Sequence, residues 1–443
     1  MIASVTVPLD GDFDVAAAVF ASRRAEERYF VWEQPDRDGF ALGGIGSAWT
    51  VEGAPSGDRF RAAAAQCIDV THAAVAGNDH ALPASGPVWV GGFAFAPDGG
   101  AAPEWDSLPA TLMTLPEVSM VRHGDRAEAT ANVVCTPGSD RDDLVPHAIA
   151  RLESMRADPL PMLDPDPVSG YEIESVLPPE RYEEAVARAA ARIRAGGLEK
   201  VVLAREVQVT APVPFHAGSV FAGLRAGYPS CFCFCVGTPT AAFIGASPEL
   251  LVRREGARLS TVALAGSTRR SADPAVDDHL GERLLHSTKD LAEHRIVVET
   301  IERALEPLSV WVAAAEEPVL VRVANIQHLG TPVRAQLAEP RSAIELAGAL
   351  HPTSAVGGEP WPGAEPTMRE LEELDRGWYA GPVGWMDATE DGEFCVALRC
   401  ALLEGRTAHC YAGVGVVADS DPEAELAETE VKLSALLPVL TGS

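Results

Sequence analysis

The sequence predicts a mixed α+β fold, and three observations carry that prediction. Short strand-like runs bounded by Gly and Pro outnumber the helical stretches, and the two do not alternate in regular β-α-β order. No internal repeat or low-complexity tail is present. Forty-seven per cent of the 443 residues are apolar and mean hydropathy is near zero, which suits a large buried core.

The first part of the chain, to about Pro167, holds strand-like runs at Phe40 to Gly46, Val88 to Phe95 and Ala129 to Cys135. One helical stretch, Arg59 to Ala76, lies among them. Asp158 to Pro167 carries prolines at 159, 161, 165 and 167 and reads as a connector. Such a segment suits a domain boundary or a crossing over the surface of one large domain. The second reading is adopted: a single domain over 1–443, with a divergent part at 1–167 and a motif-bearing part at 168–443. Beyond the connector, Pro179 to Ala195 predicts a helix stopped by Gly196-Gly197. Strands are expected at Val201 to Val209, Cys231 to Val236 and Ala242 to Gly245, and helices over Asp277 to Leu305. The last third predicts strands at Val383 to Met386, Glu393 to Leu403 and Ala408 to Val417, then a helix from Pro422 to Leu437.

Bulk properties narrow the function. A formal charge of −29 argues against nucleic acid or an anionic membrane as partner. No apolar run approaches the roughly 20 residues that span a bilayer. Met1 to Asp14 has acids and no basic segment, unlike a signal peptide. The eight cysteines form no C-x-x-C pair, and Cys231, Cys233 and Cys235 alternate with phenylalanines as strand residues do. Reduced core thiols in a cytoplasmic protein are therefore expected. An anionic substrate would need local positive charge, from buried Arg or Lys or from a metal ion.

Several polar residues stand where the pattern expects apolar ones. Glu393 to Leu403 is apolar on both faces, with Phe394, Val396 and Leu398 on one and Cys395, Ala397 and Ala401 on the other. Arg399 interrupts the second face, and a guanidinium there needs an anionic partner. An internal acid and a bound carboxylate both meet that need, the latter through the planar bidentate fork of Arg. Glu293 shares a helical stripe with Val297 and Ile301, at i, i+4 and i+8. Glu425, Glu428 and Lys432 share another, at i, i+3 and i+7. Spacing alone leaves two readings open for these: ligands, or solvated faces on which Glu428 pairs with Lys432. Lys200 at a strand start and Glu249 after Pro248 occupy ordinary positions.

Longer segments bring these residues together. In order they are Lys200-Val-Val-Leu-Ala-Arg205, Gly245-Ala-Ser-Pro-Glu-Leu-Leu251, Ala263-Leu-Ala-Gly-Ser267 and Lys289-Asp-Leu-Ala-Glu-His294. His328-Leu329, Leu350-His-Pro-Thr353 with Ala355-Val-Gly-Gly358, and Tyr379-Ala-Gly-Pro-Val-Gly-Trp385 follow. Leu398-Arg-Cys-Ala401, Tyr411-Ala-Gly-Val-Gly415 and Glu425-Leu-Ala-Glu-Thr-Glu-Val-Lys-Leu433 close the run. In this order they resemble the chorismate-utilising enzymes, from about Arg181 to Val439, with Gly43-Gly-Ile-Gly46 and Gly91-Gly-Phe-Ala-Phe95 extending the likeness upstream. The resemblance implies one large α+β domain of two packed β-sheets with helices outside and a cleft near the sheet core. It implies that Glu293 and Glu428 hold Mg²⁺ with support from Glu425. It also implies that Arg399, Gly413 and Tyr379 take the enolpyruvyl carboxylate of chorismate, and that Lys432 faces the ring carboxylate.

Within that family the residues resemble an isochorismate synthase. Lys200 matches the water-activating lysine, where ammonia-using members carry glutamine. Glu249 matches the acid that protonates the departing C4 hydroxyl. Ala263, Ala265 and Gly266 follow the isochorismate-forming pattern, while Ser267 departs from the usual threonine and keeps its hydroxyl. With water as nucleophile, no glutaminase subunit is expected. The alternative is a salicylate synthase, which also eliminates pyruvate and which Tyr379 favours. A catalytically silent chorismate-binding protein is the reading of a different class. In the family the product feeds quinone, siderophore or salicylate synthesis.

Overall fold

A computed structural model describes residues 1–53, 58–76, 82–136, 141–161 and 170–442. Among these residues two antiparallel-rich sheets dominate, one of 13 strands and one of ten, with helices packed around them. Strands from both parts of the chain enter both sheets. Ile2–Leu9, Tyr29–Gln34 and Phe40–Ile45 join the larger sheet with Lys200–Thr210 and Thr407–Val416. Val88–Phe93 and Thr111–Leu115 join the smaller with Arg258–Arg269 and Ile326–Leu337. Residues 162–167 of the expected connector lie outside the described residues.

Alternation within strands divides the core into two layers. Phe232 and Phe234 point to a cluster between the sheets that includes Trp32, Trp89, Trp105 and Trp378. Cys233 and Cys235, one residue out of phase, point outward under the helices Val15–Ser22 and Ala217–Gly227. These cysteines are buried free thiols, and burial pushes Cys235 up to about 12, so they pack as small apolar groups. Among the described residues, no helix is long and apolar enough to cross a membrane.

The helices expected over Asp277 to Leu305 are present, and the bounds of other expected elements differ in the structure. The helical region Asp277 to Leu305 is two helices, Pro274–Leu285 and Thr288–Leu305, because Ser287 caps the second by accepting from the Asp290 amide at 3.3 Å. The last long helix stops at Leu433, and Leu437–Thr441 forms a separate turn. The strand Glu393 to Leu403 is two strands in different sheets: Gly392–Val396 in the smaller and Cys400–Glu404 in the larger. An extended chain buried on both faces reads the same whether it stays in one sheet or passes between two. Arg399 sits at the passage with φ +49°, a left-handed conformation that ends the first sheet's ladder.

A second passage runs beside it. Ala241–Ser247 belongs to the larger sheet and Leu250–Glu255 to the smaller, so the chain also changes sheets at Pro248 and Glu249. The two passages are hydrogen-bonded to each other: Ala246 N–H donates to Arg399 O at 3.1 Å and Val396 N–H to Glu249 O at 3.1 Å. Behind them, Arg376 and Glu372 form a buried pair. Glu372 accepts from the Ala204 amide at 2.8 Å, and Arg376 donates to Val356 O at 2.8 Å and Val202 O at 3.1 Å. The pair thereby fixes the strand Lys200–Thr210 from the side. Arg376→Leu leaves Glu372 as an unpaired buried charge and is expected to cost about 3–5 kcal/mol. Adding Glu372→Leu should restore much of that loss. Urea unfolding midpoints test this, and a single variant within about 1 kcal/mol of the parent would contradict the positioning role.

Candidate active site

The two passages open onto a partly enclosed cavity lined mainly by charged and polar residues. Of the residues singled out from the sequence, Lys200, Glu249, Gly266, Ser267, Glu293, Tyr379, Arg399, Gly413, Glu425, Glu428 and Lys432 all line it. Ala263 does not. It is fully buried, opposite Thr331 in the strand ladder, three residues before the bulge at Gly266 that turns the chain toward the cavity.

Each wall has a local cause. Lys200 and Val202, two apart on one strand, show the same face, as period-2 geometry requires. On the adjacent strand Gly415 and Gly413 lie opposite Val202 and Ala204. A side chain at Gly415 would strike the Glu293 carboxylate and come within 2.6 Å of Lys200 Cε, and one at Gly413 would sit 3.0 Å from the Tyr379 hydroxyl. These glycines keep the floor open. Glu293 comes from the second turn of Thr288–Leu305 and pairs with Lys200 Nζ at 2.8 Å.

Glu425, Glu428 and Lys432 come from Pro422–Leu433, whose start is set by Asp421 accepting from the Ala424 amide at 2.9 Å and by Pro422 in its first turn. Arg205 on the Lys200 strand donates to Thr429 Oγ1 at 3.0 Å and pairs with Glu430, which sets the rotation of this helix. Lys432 Nζ then reaches both Glu428 at 2.8 Å and Gly413 O at 2.8 Å, and Ser267 Oγ donates to Glu428 at 2.9 Å.

Electrostatics divide the carboxyl groups. Burial pushes Glu249 up to about 7, with Lys200, Arg399 and Lys432 pulling the other way. Burial also raises Glu425 and Asp290, and neighbouring carboxylates add to both shifts. For Glu428 burial is outweighed by Lys432 and Ser267, which hold it below the usual range. Burial, with Arg399 and Lys432, drives His328 down to about 3, so it is neutral beside Arg399, at 3.3 Å from Nη2. Arg399 Nε is buried without a hydrogen-bond partner, and no carboxylate among the described residues pairs with this guanidinium. Of the two partners open to Arg399 from the sequence, an internal acid is therefore the one the structure does not supply.

Glu293, Glu425, Glu428 and Asp290 form an all-oxygen donor set, the type that hard divalent cations take. Among the described residues no three candidate donors stand close enough to enclose an ion by themselves. The set fits an ion that uses one or two carboxylates and completes its shell with water and substrate oxygen, as magnesium does.

The cavity also contains residues not singled out as site residues: Lys289, Asp290, His328 and Gly415. Period 2 from Gly413 would have found Gly415, and the adjacency of Lys289 and Asp290 to Glu293 on one helical turn was a signal. His328 stood in the His328-Leu329 segment of the resemblance, with no role assigned to it.

Residues 1–441 match the family described as chorismate binding enzyme. The chain is 38% identical over 357 residues to the salicylate biosynthesis isochorismate synthase of Pseudomonas aeruginosa, covering 80% of this chain and 75% of that protein. It is 35% identical over 365 residues to the isochorismate synthase MenF of Bacillus subtilis, covering 81% and 76% respectively. The solved structure of the menaquinone-specific isochorismate synthase from Escherichia coli superposes with a TM-score of 0.82 at 26% identity, over 99% of this chain and 95% of that one. The chain belongs to the chorismate-binding enzyme family.

The open floor yields a direct test. Gly415→Ala is expected to break the Lys200–Glu293 contact, cost about 1–3 kcal/mol of stability and lower turnover of chorismate. Unchanged turnover in the variant would show that this contact does not matter for the site.

Proposed function

We propose that this cavity is the active site of an isochorismate synthase, converting chorismate to isochorismate by adding water at C2 and expelling the C4 hydroxyl. The observation that carries the reading is a buried lysine and a buried carboxyl group held up to about 7 lining one cavity, Lys200 and Glu249. A hydroxyl shift needs a base for the incoming water and an acid for the leaving group, and these two supply both. The relatives at 35–38% identity are themselves named isochorismate synthases.

In this reading Lys200 takes a proton from the attacking water. The ring double bonds shift, and Glu249 gives its proton to the C4 oxygen, which leaves as water. Arg399, with its unsatisfied Nε, holds the enolpyruvyl carboxylate, and His328 accepts from Nη2 and orients the fork. Tyr379, stacked on Tyr411 at 5.4 Å between ring centroids, and the Gly413 backbone border that subsite. Lys432 lies toward the ring carboxylate. Glu293 and Glu428, with Glu425 behind them, would hold Mg²⁺, which when bound neutralises substrate carboxylate charge. Because water is the nucleophile, no glutaminase subunit is required.

Product analysis tests the assignment. Chorismate with Mg²⁺ should give isochorismate, without matching pyruvate and without anthranilate when ammonium is added. Pyruvate formed at the rate of chorismate loss would move the assignment to salicylate synthase. The acid role has its own signature in pH. Burial raises Glu249, so its proton is present below about 7 and lost above it, and kcat/KM should fall on the alkaline side through that value. Glu249→Gln should remove this limb and lower kcat at least about a hundredfold. A Gln variant that keeps the limb would assign the acid to another group.

A further inference from the structure

Three glutamates of the cavity each carry a lysine of their own. Glu293 pairs with Lys200 at 2.8 Å, Glu428 with Lys432 at 2.8 Å, and Glu425 with Lys289 at 3.2 Å. Two of these lysines are fixed from elsewhere. Lys200 is 1% exposed on a central strand, and Lys432 also donates to Gly413 O. Lys289 differs. It stands in the first turn of Thr288–Leu305, its side chain is 47% exposed, and among the described residues its hydrogen bond to Glu425 is its only one.

The partner of Lys289 is in the opposite situation. The Glu425 side chain is 4% exposed, and a buried carboxylate without a cation is costly. Glu425 therefore takes whichever positive charge reaches it. A lysine on a flexible four-carbon stem at the cavity mouth can leave Glu425 at small cost, and Asp290 and Glu293 are near enough to feel its charge as it moves.

We propose that Lys289 is a resident counter-ion of Glu425 that competes with the divalent cation for this carboxylate and so weakens metal binding in the substrate-free enzyme. The proposal rests on the reading of Glu293, Glu425 and Glu428 as the cation-holding residues. Its consequence is a coupling between ligands. Dication alone must displace an ammonium from a satisfied pair, whereas dication arriving with a dianionic substrate leaves the displaced ammonium facing new negative charge. The lysine thus favours joint occupancy over metal alone.

The test is a titration of the full-length protein with Mn²⁺ alone, without substrate, following the electron paramagnetic resonance signal of the free ion. Lys289→Met should bind Mn²⁺ about fivefold more tightly than the parent, the scale of one partly exposed ion pair. Lys289→Gln should move the same way, and Lys289→Arg should stay near the parent. Unchanged or weaker binding in both neutral variants, with Glu428→Gln still weakening it, would overturn the counter-ion role and leave the metal site standing. If neither Glu428→Gln nor Glu425→Gln alters Mn²⁺ binding, the metal-site reading fails and this inference fails with it.

Discussion

The site depends on one constraint: two neighbouring chain segments leave one sheet for the other at the same place. Between Ser247 and Leu250 the chain passes from the larger sheet to the smaller, and between Val396 and Cys400 it passes back. Each passage must satisfy its backbone groups away from water, and the two do so through each other, Ala246 with Arg399 and Val396 with Glu249. Neither could move alone without orphaning buried amides. The joint therefore delivers Glu249 and Arg399 to one cavity on backbone held from both sides, the rigidity that positioned acid–base and ion-binding groups need.

Around that joint the charge is arranged in pairs. A protein of formal charge −29 that takes an anion must concentrate positive charge locally, and here Lys200, Lys289, Arg399 and Lys432 line one cavity. Three of them pair with glutamates, so the cavity is near balance. Arg399 is the exception, with neutral His328 as its polar contact. A neutral imidazole accepts a hydrogen bond without cancelling the guanidinium charge, which keeps Arg399 available to a carboxylate. Burial acts on Glu249 in the opposite sense by disfavouring its ionised form, so one environment prepares a cation and an acid side by side.

The legibility of these residues in the sequence varied with the range of the interaction involved. Glu425, Glu428 and Lys432 share a face by helical spacing alone, and the Glu428–Lys432 pair of the plainest reading does form, at 2.8 Å. Spacing could not say that this face meets the Lys200 strand, because Arg205 and Thr429, 224 residues apart, settle it. Arg399 was conspicuous as a charge in a doubly apolar run, but the run that holds it is not one strand. It marks the point where the run changes sheets. Apolar alternation records burial, not which sheet does the burying.

By itself the sequence determined the local and the chemical: α+β composition, alternation that buries Phe232 and Phe234 on one side and Cys233 and Cys235 on the other, and the ordered motifs that supply every cavity group named above, His328, Lys289, Asp290 and Gly415 among them without an assigned role. Those features follow from interactions within a few residues, and the period of the chain records them. The tertiary structure alone decided which groups pair. Lys200 with Glu293, Lys289 with Glu425, and Glu249 beside Arg399 join segments roughly 90 to 150 residues apart. It also left Ala263 in the core, although Gly266 three residues later lines the cavity. Such choices depend on where two sheets cross and on how much water the crossing excludes, quantities that arise only when distant strands pack.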